Sequence, residues 1–388
     1  MRRMLTVMAA AIAFVAAPAA AEEPVRIGMI TTLSGGGSAL GIDVRDGFEL
    51  AVKLRDGKLG GVPVELIVAD DANEPQNAIQ IAERMLQQDK VQIMTGIIWS
   101  NLALAVVPKV VREGVFYISP NAGPSQLAGR GCHPNYFNVA WQNDNLHEAV
   151  GQYVQDQGYD NVYLLAPNYP AGKDSIAGFK RFYKGGIAGE TYTKLGQLDY
   201  AAEIAQIRAA KPDAVFFFLP GGMGINFIKQ YDQSGLKSEI PLFGPGFSFD
   251  QAILGAVGKA AVGAINSSQW NRDLDNESNR TFVAAFEETY GRLPSLYASQ
   301  GYDAALLIDS AIRAVGGDLS GADAFRAALK KADFESVRGD FAFGANNHPV
   351  QTIYVREVVV DEQGRVTNKI LDKAFENYTD AYAEECRM

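Results

Sequence analysis

Residues 91–123 read VQIMTGIIWSNLALAVVPKVVREGVFYISPNAG. An apolar run ends at Gly96, and a tight turn carries Trp99 and Ser100. Apolar residues at helical spacing follow to Gly114. A second apolar run ends in Ser119-Pro120-Asn121-Ala122-Gly123. The pattern predicts strand, turn, helix, strand, turn. Both turns lie past the carboxyl ends of consecutive strands, the edge where ligands bind in an open α/β sheet. The turn at Ser100 also opens a helix, whose free N–H groups favour an anion. Trp99, Ser100 and Asn121–Gly123 are therefore expected to form half of a ligand site, with the other half in a second lobe.

Outward from this stretch the same rhythm repeats. Val25–Ile30 and Val64–Val68 alternate as strands, separated by a helix over about 42–55. Asn73 is placed to cap the next helix, with Pro75 in its first turn. Pro108 falls inside a helical pattern and is expected to kink it. From Phe137 the pattern restarts. Val162–Ala166, Ala214–Leu219, Leu242-Phe243 and Val262–Ile265 read as strands with helices between. Phe216–Phe218 are assigned to the core. Helical patterns follow at about 277–290, 297–315 and 321–331. Strands are then expected at Val337–Phe343 and Thr352–Val360, with Ala374–Met388 as a tail draped over one lobe. Strands alternating with helices, without hairpins, mean parallel sheets covered on both faces.

The 388 residues are too many for one ordinary domain, and 47% hydrophobic content supplies core for two. Residues 1–21 have a short basic start, an apolar stretch and an Ala-x-Ala ending at Ala21. They read as a secretory signal peptide, since the apolar run falls short of the ~20 residues a membrane span needs. Its removal leaves 33 basic against 45 acidic residues, a net charge of −12. That surface disfavours nucleic acid and anionic membranes. Cys132 and Cys386 are the only cysteines. In an exported chain they are expected to pair, two free thiols being the alternative. No metal is expected, because no histidine sits at ligand spacing from either. No P-loop, dinucleotide fingerprint or nucleophile elbow is present, so neither a cofactor nor catalysis is expected.

The ordered set VRIGMITTLSG, DDANEP, GVFYISPNAG, AVFFFLPGG and LFGPGF resembles the type I periplasmic solute-binding proteins of branched-chain amino acid ABC transporters, from about 25 to 360. The resemblance implies an α/β fold of two Rossmann-like lobes joined by three crossover strands. Lobe one would span 24–141 and 270–347, and lobe two 142–269 and 348–388. It also implies a monomer in the periplasm whose partner is an ABC permease with its ATPase subunits. In amino-acid-binding members, the position of Ser100 holds the ligand carboxylate, and Ser100 is retained. The Thr and Glu that meet the ammonium are replaced by Gly123 and Gly246, and a cysteine pair by Asn73 and Trp99. Leu40 and Pro220 fall at aromatic positions of the family.

An ammonium desolvated without a carboxylate partner costs several kcal/mol. A carboxylate at a helix mouth keeps charge-assisted bonds of ~1.5–3 kcal/mol each. The space freed at Gly123 and Gly246 is expected to be bordered by Trp99, Tyr169 and Phe247, with Phe249 a further candidate. The expected ligand is a small organic acid without an amine, aromatic like a benzoate or a phenylpropenoate. The expected site is Leu40, Trp99, Ser100, Asn121, Ala122, Gly123, Tyr169, Pro220, Gly246 and Phe247. The alternatives are an amino-acid or amide receptor and a ligand-sensing receptor of the same fold.

Overall fold

The structure, a computed structural model, describes residues 23–388. The expected signal peptide lies outside the described residues. The first sheet contains β1 (Val25–Thr31), β2 (Lys58–Leu59), β3 (Val62–Asp70), β4 (Ile93–Thr95), β5 (Phe116–Ser119) and β6 (Tyr136–Asn138). Its order is β2-β3-β1-β4-β5-β6, parallel except for the β2/β3 hairpin. Successive strands run outward from β1 in both directions, so the strand order reverses beside it. Such a switch point opens a crevice at the carboxyl ends of β1 and β4.

The second sheet repeats the arrangement. β7 (Asn161–Pro167), β8 (Gly186–Thr193), β9 (Ala214–Phe217), β10 (Leu242–Pro245) and β11 (Ile265–Ser268) are parallel and ordered β8-β7-β9-β10-β11. Its switch point lies beside β7 and β9. Three antiparallel strands extend it: β12 (Ala342–Phe343), β13 (Pro349–Val360) and β14 (Val366–Tyr378). Among the described residues no helix is long and apolar enough to cross a membrane.

Helix Leu296–Ala314 returns to cover the first sheet and packs on helix Ser38–Lys53. Glycines let the two backbones touch. A Cβ at Gly47 would lie 1.9 Å from the Ala298 carbonyl oxygen, and one at Gly301 2.0 Å from that of Val44. The chain thus passes between the two sheets three times, after β6, after β11 and again before β12 and β13. Arg338, buried, ties two passages together: it donates to Val139 O, Ala140 O (3.2 Å) and Gln351 Oε1 (2.7 Å) while its Nε meets Asp303 at 3.1 Å.

Several local expectations fail. Asn73 does not cap the second helix. It sits at φ 57° in the left-handed region, and Glu74 holds the cap position without a side-chain bond. Only Ala342–Phe343 of the strand expected at 337–343 forms, because Arg338 turns inward to the crossover. The tail begins as strand β14, which the sequence reading missed. Its last turns lie against both halves.

Candidate ligand-binding site

The Ser100 helix starts just beyond β4, at the first switch point. No side chain caps it, so its leading N–H groups keep their pull on an anion. Asn143 fixes the Ser100 hydroxyl by donating Nδ2 to Oγ at 3.0 Å and to Asp174 Oδ2 at 2.9 Å. Its Oδ1 accepts from Gly123 N at 3.1 Å. Asn143 is fully employed, while Ser100 accepts and retains its own proton to donate.

Asp174 belongs to helix Pro170–Phe182 of the second half, yet it accepts from Ser125 N (3.1 Å) and Ser125 Oγ (2.7 Å) of the first. Leu296 N likewise reaches across to Asp250 Oδ1 at 2.9 Å. These bonds bridge the two halves. Burial, and next the charge of Asp144, push the Asp174 carboxyl up to about 6 against the bonds from Ser125 and Asn143. Burial also pushes Asp250 up to about 7, although Arg356 and two backbone N–H groups oppose it.

Between the two switch points lies a narrow, nearly filled cleft with about 30 Å³ of free space, lined by Ser100, Asn121, Asn143 and His147 together with a wall of rings. Trp99 donates Nε1–H to Thr32 Oγ1 at 3.0 Å, which sets its ring edge-on to Tyr169, 6.2 Å between centroids. Tyr169 stacks on Phe218 at 6.3 Å, and Phe247 meets Trp141 at 4.4 Å and Phe218 at 5.6 Å. Tyr297, Leu40, Pro220, Ile98 and Ala171 complete the lining. Among the described residues, no charged side chain lines the cleft.

Of the residues singled out from sequence, Leu40, Trp99, Ser100, Asn121, Tyr169, Pro220 and Phe247 come together here. Asn121 lines the cleft as expected. Its Nδ2 donates to Ile98 O at 2.7 Å and its Oδ1 is left without a donor. Ala122, Gly123 and Gly246 do not line the cleft. The Ala122 carbonyl accepts from Ser119, Tyr136 and Asn138, and Gly123 N is taken by Asn143.

The space expected at the two glycines is not free. A Cβ at Gly123 would lie 2.3 Å from Trp141 O. One at Gly246 would lie 2.9 Å from each of Arg356 Nη2, Leu296 Cδ2 and Ser267 O. Phe216, Phe217 and Phe218 are all core as assigned, and Phe218 also lines the cleft. Phe249 is core and does not line the cleft. Sequence reasoning missed Asn143, His147, Trp141 and Tyr297. Asn143 and His147 were findable as one face of one helix. Trp141 and Tyr297 reach the site only through the crossover and the returning helix.

Cys132 and Cys386 are joined, with Cα atoms 5.7 Å apart.

Residues 24–365 match the family described as periplasmic binding protein. The Leu/Ile/Val-binding protein homolog 6 of Brucella melitensis is 27% identical over 376 residues, 95% of this chain and 96% of that protein. A solute-binding protein of an ABC transporter from R. palustris, solved with benzoate, is 32% identical with a TM-score of 0.89, covering 94% of this chain and 100% of that one. Another, from Rhodopseudomonas palustris BisB5 and solved with 3,4-dihydroxybenzoic acid, is 29% identical with a TM-score of 0.85, covering 92% and 99%. The family match runs over most of the sequence and these relatives share the fold end to end: the chain belongs to the periplasmic binding protein family, as the substrate-binding, non-enzymatic component of an ABC transporter.

Proposed function

We propose that this chain captures a small aromatic carboxylate between its lobes in the periplasm and delivers it to an ABC permease. Residues 1–21 would be removed on export, and the receptor would act as a monomer hinged near 141/142, 269/270 and 347/348. One observation carries the reading: the uncapped mouth of the Ser100 helix, with a hydroxyl proton to give, opens into a narrow ring-walled cleft without charged side chains. A carboxylate finds dipole and donors there. An ammonium finds no carboxylate, so its desolvation goes uncompensated. Flat rings lie well against Trp99, Tyr169 and Phe247. Two R. palustris relatives solved with benzoate and 3,4-dihydroxybenzoate support the class.

The rival reading, a branched-chain amino acid, draws on the Brucella relatives' name and on the free Asn121 Oδ1, one neutral acceptor for an ammonium. Titration calorimetry with benzoate, a phenylpropenoate and leucine separates the two. The aromatic acids are expected to bind and leucine not to; tight leucine binding without the aromatic acids would reverse the assignment. Ser100→Ala is expected to weaken the aromatic acids about tenfold or more, one charge-assisted bond being worth ~1.5–3 kcal/mol. Unchanged affinity would remove the helix mouth from the site.

A further inference from the structure

His147 stands four residues beyond Asn143, so the two share a face of helix Asp144–Asp156, about 6 Å apart along its axis. That separation is on the scale of a single aromatic ring. Asn143 holds Ser100 at one end of the cleft. His147 lines the cleft and is fully buried, with an apolar collar of Phe218 at 5.1 Å and Phe247 at 5.7 Å between centroids. Its Nδ1 lies 3.2 Å from Ser175 Oγ. Its Nε2 has no partner among the described residues.

A buried polar nitrogen left unpaired is costly. Burial drives the His147 pKa down to about 3, so the ring is neutral at any working pH. One nitrogen then donates and the other accepts, and the Ser175 hydroxyl, able to give or take a proton, suits either arrangement. A hydroxyl on the ligand satisfies Nε2 in either tautomer. A carbonyl satisfies only one, and a ring C–H neither.

We propose that His147 is a specificity-determining residue that reads a ring hydroxyl, so that the preferred ligand is an aromatic carboxylate hydroxylated on the side of the ring away from its carboxylate. The acid sits at Ser100, the ring lies between Tyr169 and Phe247, and the phenol meets His147 Nε2. This rests on the aromatic-carboxylate reading and adds a second polar anchor to it.

The test titrates the full-length mature protein with benzoate and 4-hydroxybenzoate. The native chain is expected to favour 4-hydroxybenzoate at least about tenfold, the value of one hydrogen bond to an otherwise unpaired buried group. His147→Phe is expected to collapse that ratio towards one, by losing the hydroxylated acid more than the plain one. Because the chain has three histidines, the native protein also allows imidazole ¹⁵N spectroscopy that does not depend on the variant folding. The His147 Nε2 resonance is expected to shift with 4-hydroxybenzoate and not in the same way with benzoate. Equal affinities for the two acids, or the same His147 resonance with both, would overturn the assignment while leaving the aromatic-carboxylate reading intact. Failure of both acids and of the phenylpropenoate to bind would overturn both.

Discussion

Gly246 and Gly123 look from sequence like side chains removed to make room, yet in the fold the room is filled by Arg356, Leu296 and the Trp141 backbone. Gly246→Glu should therefore not restore an amino-acid site. Its Cβ alone would meet three atoms at 2.9 Å, and overpacking of this kind costs ~1–3 kcal/mol. The expected outcome is a lower melting temperature with no gain of leucine binding; a stable variant that binds leucine would show the space can be reopened. Asp174 gives a pH effect. Its carboxyl, buried in the closed form, is pushed up to about 6, above the ordinary carboxylate range, and regains water when the lobes part. A raised value favours the closed form fully below about pH 4 and loses that contribution as pH rises through about 6. Ligand should bind more tightly at pH 5 than at pH 8. Asp174→Asn, which presents the hydrogen-bonding face of the protonated acid, should reduce the slope, leaving the share of Asp250, which is also raised and also bridges the halves. A native profile that is flat, or that slopes the other way, would exclude Asp174 as the linked group.

At the scale of elements, the stretch from Val366 shows what pattern reading loses. The β14 strand carries Lys369, Asp372, Lys373 and Glu376 on a largely open edge, so no apolar alternation advertises it. The signal that was present is the Asp361–Gly364 turn, with Gly364 at φ 79° and Gly364 N donating to Asp361 O, which folds β14 back on β13. Beyond β14 the chain reaches both halves. Tyr378 donates to Glu148 at 2.8 Å and Tyr382 to Asp144 at 2.9 Å, beside Arg181, while Cys386 is bonded to Cys132. With the cysteines 254 positions apart, the bond removes a large loop from the unfolded chain, and its loss should cost ~2–4 kcal/mol. Denaturant titration of Cys132→Ser/Cys386→Ser beside the native protein measures this; coincident transitions would mean the strap adds nothing to stability.

For the whole molecule, the two-sheet architecture was legible because buried parallel strands are short, apolar and regularly spaced. The cleft was legible where residues follow a strand's carboxyl end, as Trp99, Ser100 and Tyr169 do. It was not legible where neighbours arrive through the crossovers, as with Asn143 holding Ser100, or through the returning helix, as with Tyr297. Closure depends on contacts drawn from both lobes, so a ligand that touches both must shift the population towards the shut form. Small-angle scattering should show the radius of gyration falling on saturation with a bound aromatic acid, and an unchanged profile would mean the lobes do not close on it. The Cys132–Cys386 bond also has a consequence for how the protein is made. One of its partners is synthesised in the first lobe and the other 254 residues later. With one possible pairing, oxidation cannot choose wrongly and no reshuffling is needed. The strap across the halves can therefore be fastened only once the chain has been made as far as Cys386, after most of both sheets already exists.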